Sequence, residues 1–199
     1  LKVLSEQIHG GADLEGCIGL GHTRWATHGA PTDTNAHPHL SENGRFAVIH
    51  NGIVENFAAL RAELEGEGYV FASETDTEVV AHLLEKYYDG DLKRTVMRTA
   101  SRLEGSYVLG VLCADEPGRL FCVKEAGPLI LGLGVGENYF ASDVTALVSR
   151  TKNVIYMDDG EFAELTPEHI TVFDRTGREI TKTVSHVVWP PRRAATTTS

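Results

Sequence analysis

The stretch "RFAVIHNGIVENFAALRAELEGEG" at residues 45–68 decides the fold class, because a strand pattern passes directly into a helix pattern. Residues 45–52 are rich in β-branched and aromatic side chains and predict a strand that ends at Asn51 and Gly52. Residues 57–68 then carry apolar side chains at helical spacing. The sequence therefore predicts a fold in which helices and strands are packed together.

More helices are predicted downstream of this stretch. Asn56 is a plausible N-cap of the first helix, and Gly66 or Gly68 a stop. Residues 77–88 and 91–105 predict two further amphipathic helices. The predicted buried face of the first of these two consists of Val79, Val80, Leu83, Leu84 and Tyr87.

Short β-rich runs separated by turns occupy the second half of the chain, from residue 106 to residue 180. Residues 17–26, "CIGLGHTRWA", predict an earlier strand that runs into a polar loop. The expected organisation is one domain over residues 1–188, in which antiparallel strands follow the helices. Two prolines and a Thr-rich end make residues 189–199 a predicted linker that leads out of the domain.

Composition narrows the classes of function. The chain has 199 residues and a net charge of -10, which disfavours binding to nucleic acid or to anionic lipid. No apolar run is long enough to span a bilayer, and the first residues show neither an initiator methionine nor a signal peptide. Three scattered cysteines predict no disulfide framework and favour a cytoplasmic protein. The chain is therefore expected to begin within a longer protein.

Arg24 is the first candidate for binding a ligand. It lies at the end of the predicted strand over residues 17–26, where a planar guanidinium suits bidentate capture of a carboxylate. An ordinary salt bridge to one of the 28 acidic residues is the alternative.

Asn51 and Gly52 have two interpretations. Asn-Gly is a strong hairpin signal, but the following residues predict a helix rather than a returning strand. The alternative is an oxyanion hole, in which the side-chain amide and a glycine N–H converge on a developing negative charge.

Asp76 also has two interpretations. It is either the N-cap of the helix that begins near residue 77 or a carboxylate that faces a ligand amine. Thr75 and Glu78 have the spacing of a capping box, which would leave Asp76 free for a ligand.

Five of the nine histidines fall between residues 22 and 50 and raise a metal hypothesis. They are His22, His28, His37, His39 and His50. The chain lacks a helical i, i+4 pair among them and a nearby pair of cysteines, so hydrogen-bonded loop histidines are the favoured interpretation. No metal or cofactor is predicted.

These candidates together outline a pocket for a small zwitterion, with Arg24 for a carboxylate, Asp76 for an ammonium group, and Asn51 and Gly52 for an oxyanion. An amino acid with an acyl side chain fits all three. Four blocks occur in order, namely "GHTRWATHG" (21–29), "NAHPH" (35–39), "HNGIVEN" (50–56) and "SETDTE" (73–78). With the later "EGSY", "AGPLILGLG" and "ASD", they closely resemble the glutaminase domain of the glutamine–fructose-6-phosphate aminotransferase (glucosamine-6-phosphate synthase) family of class II amidotransferases.

The resemblance implies an N-terminal-nucleophile fold, an α+β four-layer sandwich of two antiparallel sheets between helix layers. It implies that glutamine's α-carboxylate is held at Arg24 and its α-amino group at Asp76, with backbone help near Thr27 and His28. It also implies an oxyanion hole at Asn51 and Gly52. By the same resemblance, Trp25 gates an ammonia channel, although a core aromatic is an equally good interpretation.

The family's nucleophile is a cysteine at the mature amino terminus, and here the sequence departs from the pattern because it opens with Leu1. Cys17, Cys113 and Cys122 all have the character of small buried hydrophobes, so none is expected to take the role. We therefore expect the first strand or strands to be missing and the chain alone to be inactive.

Two classes of function remain open. The first is the ammonia-producing half of an enzyme that transfers nitrogen from glutamine to fructose-6-phosphate. In this class the domain is fused to an isomerase domain, and the full-length protein is expected to be a homo-oligomer. The second is a non-catalytic glutamine-binding or scaffolding remnant. Intact-mass analysis for an extra segment that starts with cysteine would separate them.

Overall fold

The structure, a computed structural model, describes residues 2–12, 15–24 and 29–188. Its helices are α1 (Lys2–Gln7), α2 (Phe57–Gly66), α3 (Thr77–Tyr87) and α4 (Leu92–Ala100), with 3-10 turns at His9–Gly11 and Val144–Ala146. Its first strands are β1 (His39–Leu40), β2 (Phe46–Val54), β3 (Gly105–Cys113), β4 (Leu120–Glu125), β5 (Ile130–Leu133) and β6 (Asn138–Ala141). Its remaining strands are β7 (Asn153–Tyr156), β8 (Glu161–Leu165), β9 (Ile170–Phe173), β10 (Glu179–Ile180) and β11 (Ser185–His186).

The strands form two antiparallel sheets. The larger has seven strands in the order β1-β2-β3-β4-β8-β9-β10, and the smaller has four in the order β11-β7-β5-β6. Neighbouring strands in both sheets run antiparallel. The predicted α+β class with two antiparallel sheets is confirmed.

Successive side chains along a strand point to opposite faces of the sheet, so the two faces of the larger sheet pack against different elements. Tyr107, Leu109 and Val111 of β3 pack with the apolar faces of α2, α3 and α4. Val108 of the same strand packs with Leu131 and other residues of the smaller sheet. The helices therefore cover one face of the larger sheet, and the smaller sheet covers the other.

The outer face of the smaller sheet carries an apolar cluster of its own. Ile130 and Val154 pack there with Leu147, which follows the 3-10 turn at Val144–Ala146.

The predicted face of α3 is confirmed, because all five of its apolar residues are buried. Helix α2 begins after Asn56 as predicted, but the Asn56 side chain makes no cap hydrogen bond. Instead its amide donates to the carbonyl of Arg102 (2.8 Å) and accepts from the N–H of Glu104 (3.1 Å). Asn56 thus joins the start of α2 to the segment before β3.

Two strand predictions were wrong. The part of residues 17–26 that the structure describes, residues 17–24, contains no strand. Gly19 and Gly21 leave that segment without side chains to pack at alternate positions, which weakens a strand. The second strand does not end at Gly52, because β2 continues to Val54.

No helix among the described residues is long and apolar enough to cross a membrane. The predicted linker, residues 189–199, lies outside the described residues.

Candidate functional site

Asn51 and Gly52 lie within β2, where they pair with Val108 and Tyr107 of β3. The hairpin interpretation is therefore wrong: both residues belong to a continuous antiparallel ladder. Gly52 has a φ of +118°, and a Cβ at this position would lie 2.8 Å from the carbonyl carbon of Ser106 and closer still to its oxygen. The strand thus needs glycine here, because the β3 backbone passes too close for a side chain.

The Asn51 side chain is exposed and makes a hydrogen bond with His22. The distance between His22 Nε2 and Asn51 Oδ1 is 2.7 Å. Sequence reasoning did not assign His22 to the site, although the histidine density of residues 22–50 was a signal. The contact brings the 15–24 segment to the middle of β2.

Asp76 is buried immediately before α3, with 4% of its surface exposed. It occupies the N-cap position but makes no side-chain cap hydrogen bond, so the capping interpretation is wrong. Its Oδ2 accepts the N–H of Val54 (2.9 Å), and its Oδ1 lies 3.8 Å from His50 Nδ1. The carboxylate therefore faces β2, on the strand that carries Asn51.

The predicted Thr75–Glu78 capping box is also wrong. The Thr75 hydroxyl bonds instead with His39 Nε2 (3.0 Å) and with the Ser73 hydroxyl (3.1 Å). Glu78 accepts from the N–H groups of Ala72 (2.8 Å) and Ser73 (2.7 Å), which lie further upstream than the box requires. Glu78, in the first turn of α3, thus holds the segment before the helix through these two hydrogen bonds.

Burial opposes the ionisation of Glu78, but contact with His82 and the hydrogen bonds from Ser73 and Ala72 outweigh it. They lower the pKa of the Glu78 carboxyl to about 2. The ionised Glu78 carboxylate accepts two backbone N–H groups of the segment that leads into Asp76, and these charge-assisted hydrogen bonds help to hold that turn.

The loop histidines form a hydrogen-bonded cluster. His37 Nδ1 accepts the N–H of His50 (3.2 Å), which places the ring proton of His37 on Nε2, facing Thr77 Oγ1 at 3.3 Å. Thr77 Oγ1 is also 3.0 Å from His50 Nδ1. The His37 and His22 rings stack with centroids 4.3 Å apart.

Hydrogen bonding thus accounts for His37 and His39, as the favoured interpretation predicted. Among the described residues, no group of three or more His, Cys, Asp or Glu side chains is arranged to hold a metal ion. His28, part of the metal hypothesis, lies outside the described residues.

Burial lowers the pKa of His37 from 6.5 to about 3, and His22, His39, His50 and Arg24 add to the shift. Folded protein therefore keeps His37 neutral over a range where the unfolded chain protonates it. The free energy of unfolding should be fully maintained above pH 6.5 and fall below it, by up to about 1.4 kcal/mol per pH unit for this group.

We expect His37→Gln to reduce this loss. Denaturant unfolding at pH 7.5 and pH 5.5 should show wild-type protein losing about 1 kcal/mol more than the variant between the two pH values. Burial also lowers the pKa of His39, so the variant should retain some pH dependence. Equal losses in both proteins would contradict the assignment to His37.

Arg24 is half-buried, and its guanidinium donates to the carbonyls of Ala30 (3.1 Å) and Gly29 (3.2 Å). Asn35 donates to the same Ala30 carbonyl through Nδ2 (3.0 Å) and accepts the N–H of Glu74 through Oδ1 (3.0 Å). A hydrogen-bonded path therefore runs from Arg24 to the turn before Asp76. Trp25, Thr27 and His28 lie between Arg24 and Gly29, outside the described residues.

A cavity of about 680 Å³ lies between the two sheets. Asn51 lines this cavity, whereas Arg24, Gly52 and Asp76 are not among its lining residues. His22, His50 and Asn51 line one part of it, and Phe140 and Leu129 line another. Its size suits an organic ligand of moderate size.

The prediction of three buried cysteines holds for two of them. Cys113 and Cys122 are buried, and burial raises the pKa of the Cys122 thiol far above its usual range. Cys17 is exposed and lines the cavity, so the prediction was wrong there. The reason is the absence of the expected strand around it.

Residues 2–192 match the family model described as "Glutamine amidotransferase domain". The chain belongs to this family.

Curated relatives of this amidotransferase domain are named glutamine–fructose-6-phosphate aminotransferase [isomerizing]. The protein of Symbiobacterium thermophilum is 54% identical over 180 residues, which cover 90% of this chain and 30% of the relative. That of Aquifex aeolicus is 51% identical over 90% of this chain and 30% of the relative. That of Methanosarcina acetivorans is 44% identical over 94% of this chain and 32% of the relative. The chain thus spans about a third of the length of these relatives.

Solved structures share the fold. The glutamine phosphoribosylpyrophosphate amidotransferase of B. subtilis aligns with a TM-score of 0.65 and 26% identity, over 79% of this chain and 35% of that one. A structure described as the allosteric regulatory enzyme of purine biosynthesis aligns with the same TM-score and 28% identity, over 77% of this chain and 34% of that one.

Proposed function

We propose that this amidotransferase domain binds L-glutamine and hydrolyses its side-chain amide to glutamate and ammonia. The observation that carries the proposal is the position of Asn51 and Gly52 within β2. Asn51 makes a hydrogen bond there with His22, and Asp76 accepts the N–H of Val54 on the same strand. Arg24 lies at the end of the segment that also carries His22.

In the proposed reaction, a cysteine thiolate attacks the side-chain amide carbon of glutamine and forms a carbon–sulfur bond. The carbonyl oxygen becomes an oxyanion, which the Asn51 amide and the Gly52 N–H stabilise. The carbon–nitrogen bond then breaks as the nitrogen takes a proton and leaves as ammonia. Water hydrolyses the resulting thioester to glutamate and restores the thiol.

By its resemblance to the family, the domain needs an N-terminal cysteine as nucleophile, with the cysteine's own α-amino group as base. We assign that cysteine to a part of the longer protein outside the 199 residues. Cys113 and Cys122 are buried, and Cys17, although it lines the cavity, is an internal residue whose α-amino group is part of a peptide bond and cannot act as the base. The cavity beside Asn51 offers space for such a segment together with glutamine.

The relatives' names support fructose-6-phosphate as the acceptor, bound by an isomerase domain that residues 189–199 would join to this one. In the same proposal, Thr27 and His28 contribute to glutamine binding and Trp25 gates the passage of ammonia. The longer protein is proposed to be a cytoplasmic homo-oligomer.

Arg24→Lys is expected to raise the KM for glutamine of the complete protein. Lysine offers a point charge in place of a planar fork, and losing one charge-assisted hydrogen bond costs about 1.5 to 3 kcal/mol, or roughly ten- to a hundredfold. Steady-state glutaminase assays measure the effect. An unchanged KM would remove Arg24 from the site.

Asp76→Asn is expected to raise the KM for glutamine by a similar factor while the protein stays folded. An asparagine oxygen still accepts the Val54 N–H, but the charge that would hold the α-ammonium group is lost. The KM for glutamine should therefore rise while the melting temperature stays close to that of the wild-type protein. A variant that unfolds yet keeps its glutamine affinity when folded would assign Asp76 a structural role only.

A further inference from the structure

The contact between His22 and Asn51 has a consequence for how the Asn51 amide is oriented. An asparagine amide has an accepting end and a donating end of nearly the same shape, and only the donating end stabilises an oxyanion. Which end faces the reacting carbonyl therefore depends on which end faces His22.

The His22 ring defines this orientation through the position of its proton. Its Nδ1 is buried and makes no hydrogen bond within the described part of the chain, whereas its Nε2 lies 2.7 Å from Asn51 Oδ1. A proton on Nδ1 would be a buried donor with no acceptor, which costs about 1 to 3 kcal/mol. The proton therefore resides on Nε2 and is donated to Oδ1.

Donation to Oδ1 leaves the Asn51 Nδ2 group on the opposite side of the amide, where it makes no hydrogen bond to any described residue. Both N–H bonds of Nδ2 are then available to a ligand. A flipped amide would present oxygen lone pairs to the oxyanion and repel it.

The His22 ring is itself held in place. It stacks on His37 at 4.3 Å with an interplanar angle of 26°. His37 is anchored by the His50 N–H and by Thr77, and burial keeps it neutral. The His22 ring is thus stacked on an uncharged ring, that of His37, which is held in place by its own hydrogen bonds.

We propose that His22 is a positioning residue for glutamine hydrolysis, which donates from Nε2 to Asn51 Oδ1 and so directs the Asn51 amide nitrogen at the oxyanion. This inference rests on the proposed function. His22 need not touch glutamine, so its effect should fall on kcat rather than on ground-state binding.

The test uses the complete protein and three variants of His22. His22→Met removes the donor, and in His22→Asn the shorter side chain places its amide N–H too far from Asn51 Oδ1 to replace the Nε2 donor. Each variant should lower kcat for glutamine hydrolysis about ten- to a hundredfold with KM within about twofold. His22→Gln places an amide N–H near the position of Nε2 and should recover most of the rate. Rates are referred to the folded fraction from a melt of the same preparation.

Two controls separate positioning from a general structural role. His186→Asn alters a comparable contact at the surface, where His186 Nδ1 lies 3.1 Å from Asn153 Oδ1, and should leave kcat unchanged. In an Asn51→Ala background, His22→Asn should change kcat less than about twofold, because there is no amide left to orient.

Wild-type kcat in His22→Asn and His22→Met, or a loss that persists in the Asn51→Ala background, would overturn the inference. So would a His22→Gln variant as impaired as His22→Asn. An inactive wild-type protein would instead count against the proposed function itself.

Discussion

Asn51→Ala should lower kcat for glutamine hydrolysis by the complete protein about a hundred- to a thousandfold, equivalent to about 2.7 to 4 kcal/mol. The amide is proposed to meet a charge that develops only on the tetrahedral intermediate, so KM should change far less than kcat. Steady-state kinetics with ammonia detection measure both constants.

Stability should change little in this variant. The Asn51 side chain is exposed, and its backbone stays in the ladder with Val108 of β3. Asn153→Ala removes the comparable surface asparagine and serves as control. A destabilised Asn51→Ala protein with near-normal kcat per folded molecule would mean that Asn51 shapes the strand rather than the transition state.

Gly52→Ala should destabilise the folded protein severely. A side chain at positive φ costs about 1 to 2 kcal/mol, and forcing a methyl group into a filled space costs a further 1 to 3 kcal/mol or so. The obstacle is the backbone of Ser106, which cannot move without disturbing β3. A loss of this size corresponds to a fall in Tm of roughly 5 to 20 °C for a chain of this length.

Gly44→Ala is the matched control for Gly52→Ala. Gly44 also has a positive φ, +70°, but a Cβ there would have no atom within 4 Å. Gly44→Ala therefore carries the free-energy cost of a side chain at positive φ but not the cost of a steric clash. Equal melting of the two variants would contradict the proposed close approach of β2 and β3 at Gly52.

The elements with strong local patterns could be predicted from the sequence. Helix α3 has all five predicted apolar residues buried, because the helical period alone determines which side faces the sheet. The end of β2 could not be predicted in this way. Its continuation past Gly52 depends on pairing with β3, more than 50 residues further along the chain.

The candidate site shows the same division. Arg24, Asn51 and Asp76 could be proposed because their chemistry suits an amino acid. Their surroundings could not be proposed, because Asp76 bonds to Val54 rather than to its own helix. The His22 contact also joins residues 29 positions apart, which no local pattern encodes.

A structure of the complete protein with L-glutamate, the proposed product, tests the central claim most directly. The account predicts the α-carboxylate at Arg24 and the α-ammonium group at Asp76. It also predicts the side-chain carboxylate within hydrogen-bond distance of Asn51 Nδ2 and the Gly52 N–H. Glutamate bound elsewhere, or bound here with Asn51 Oδ1 turned toward it, would contradict the account.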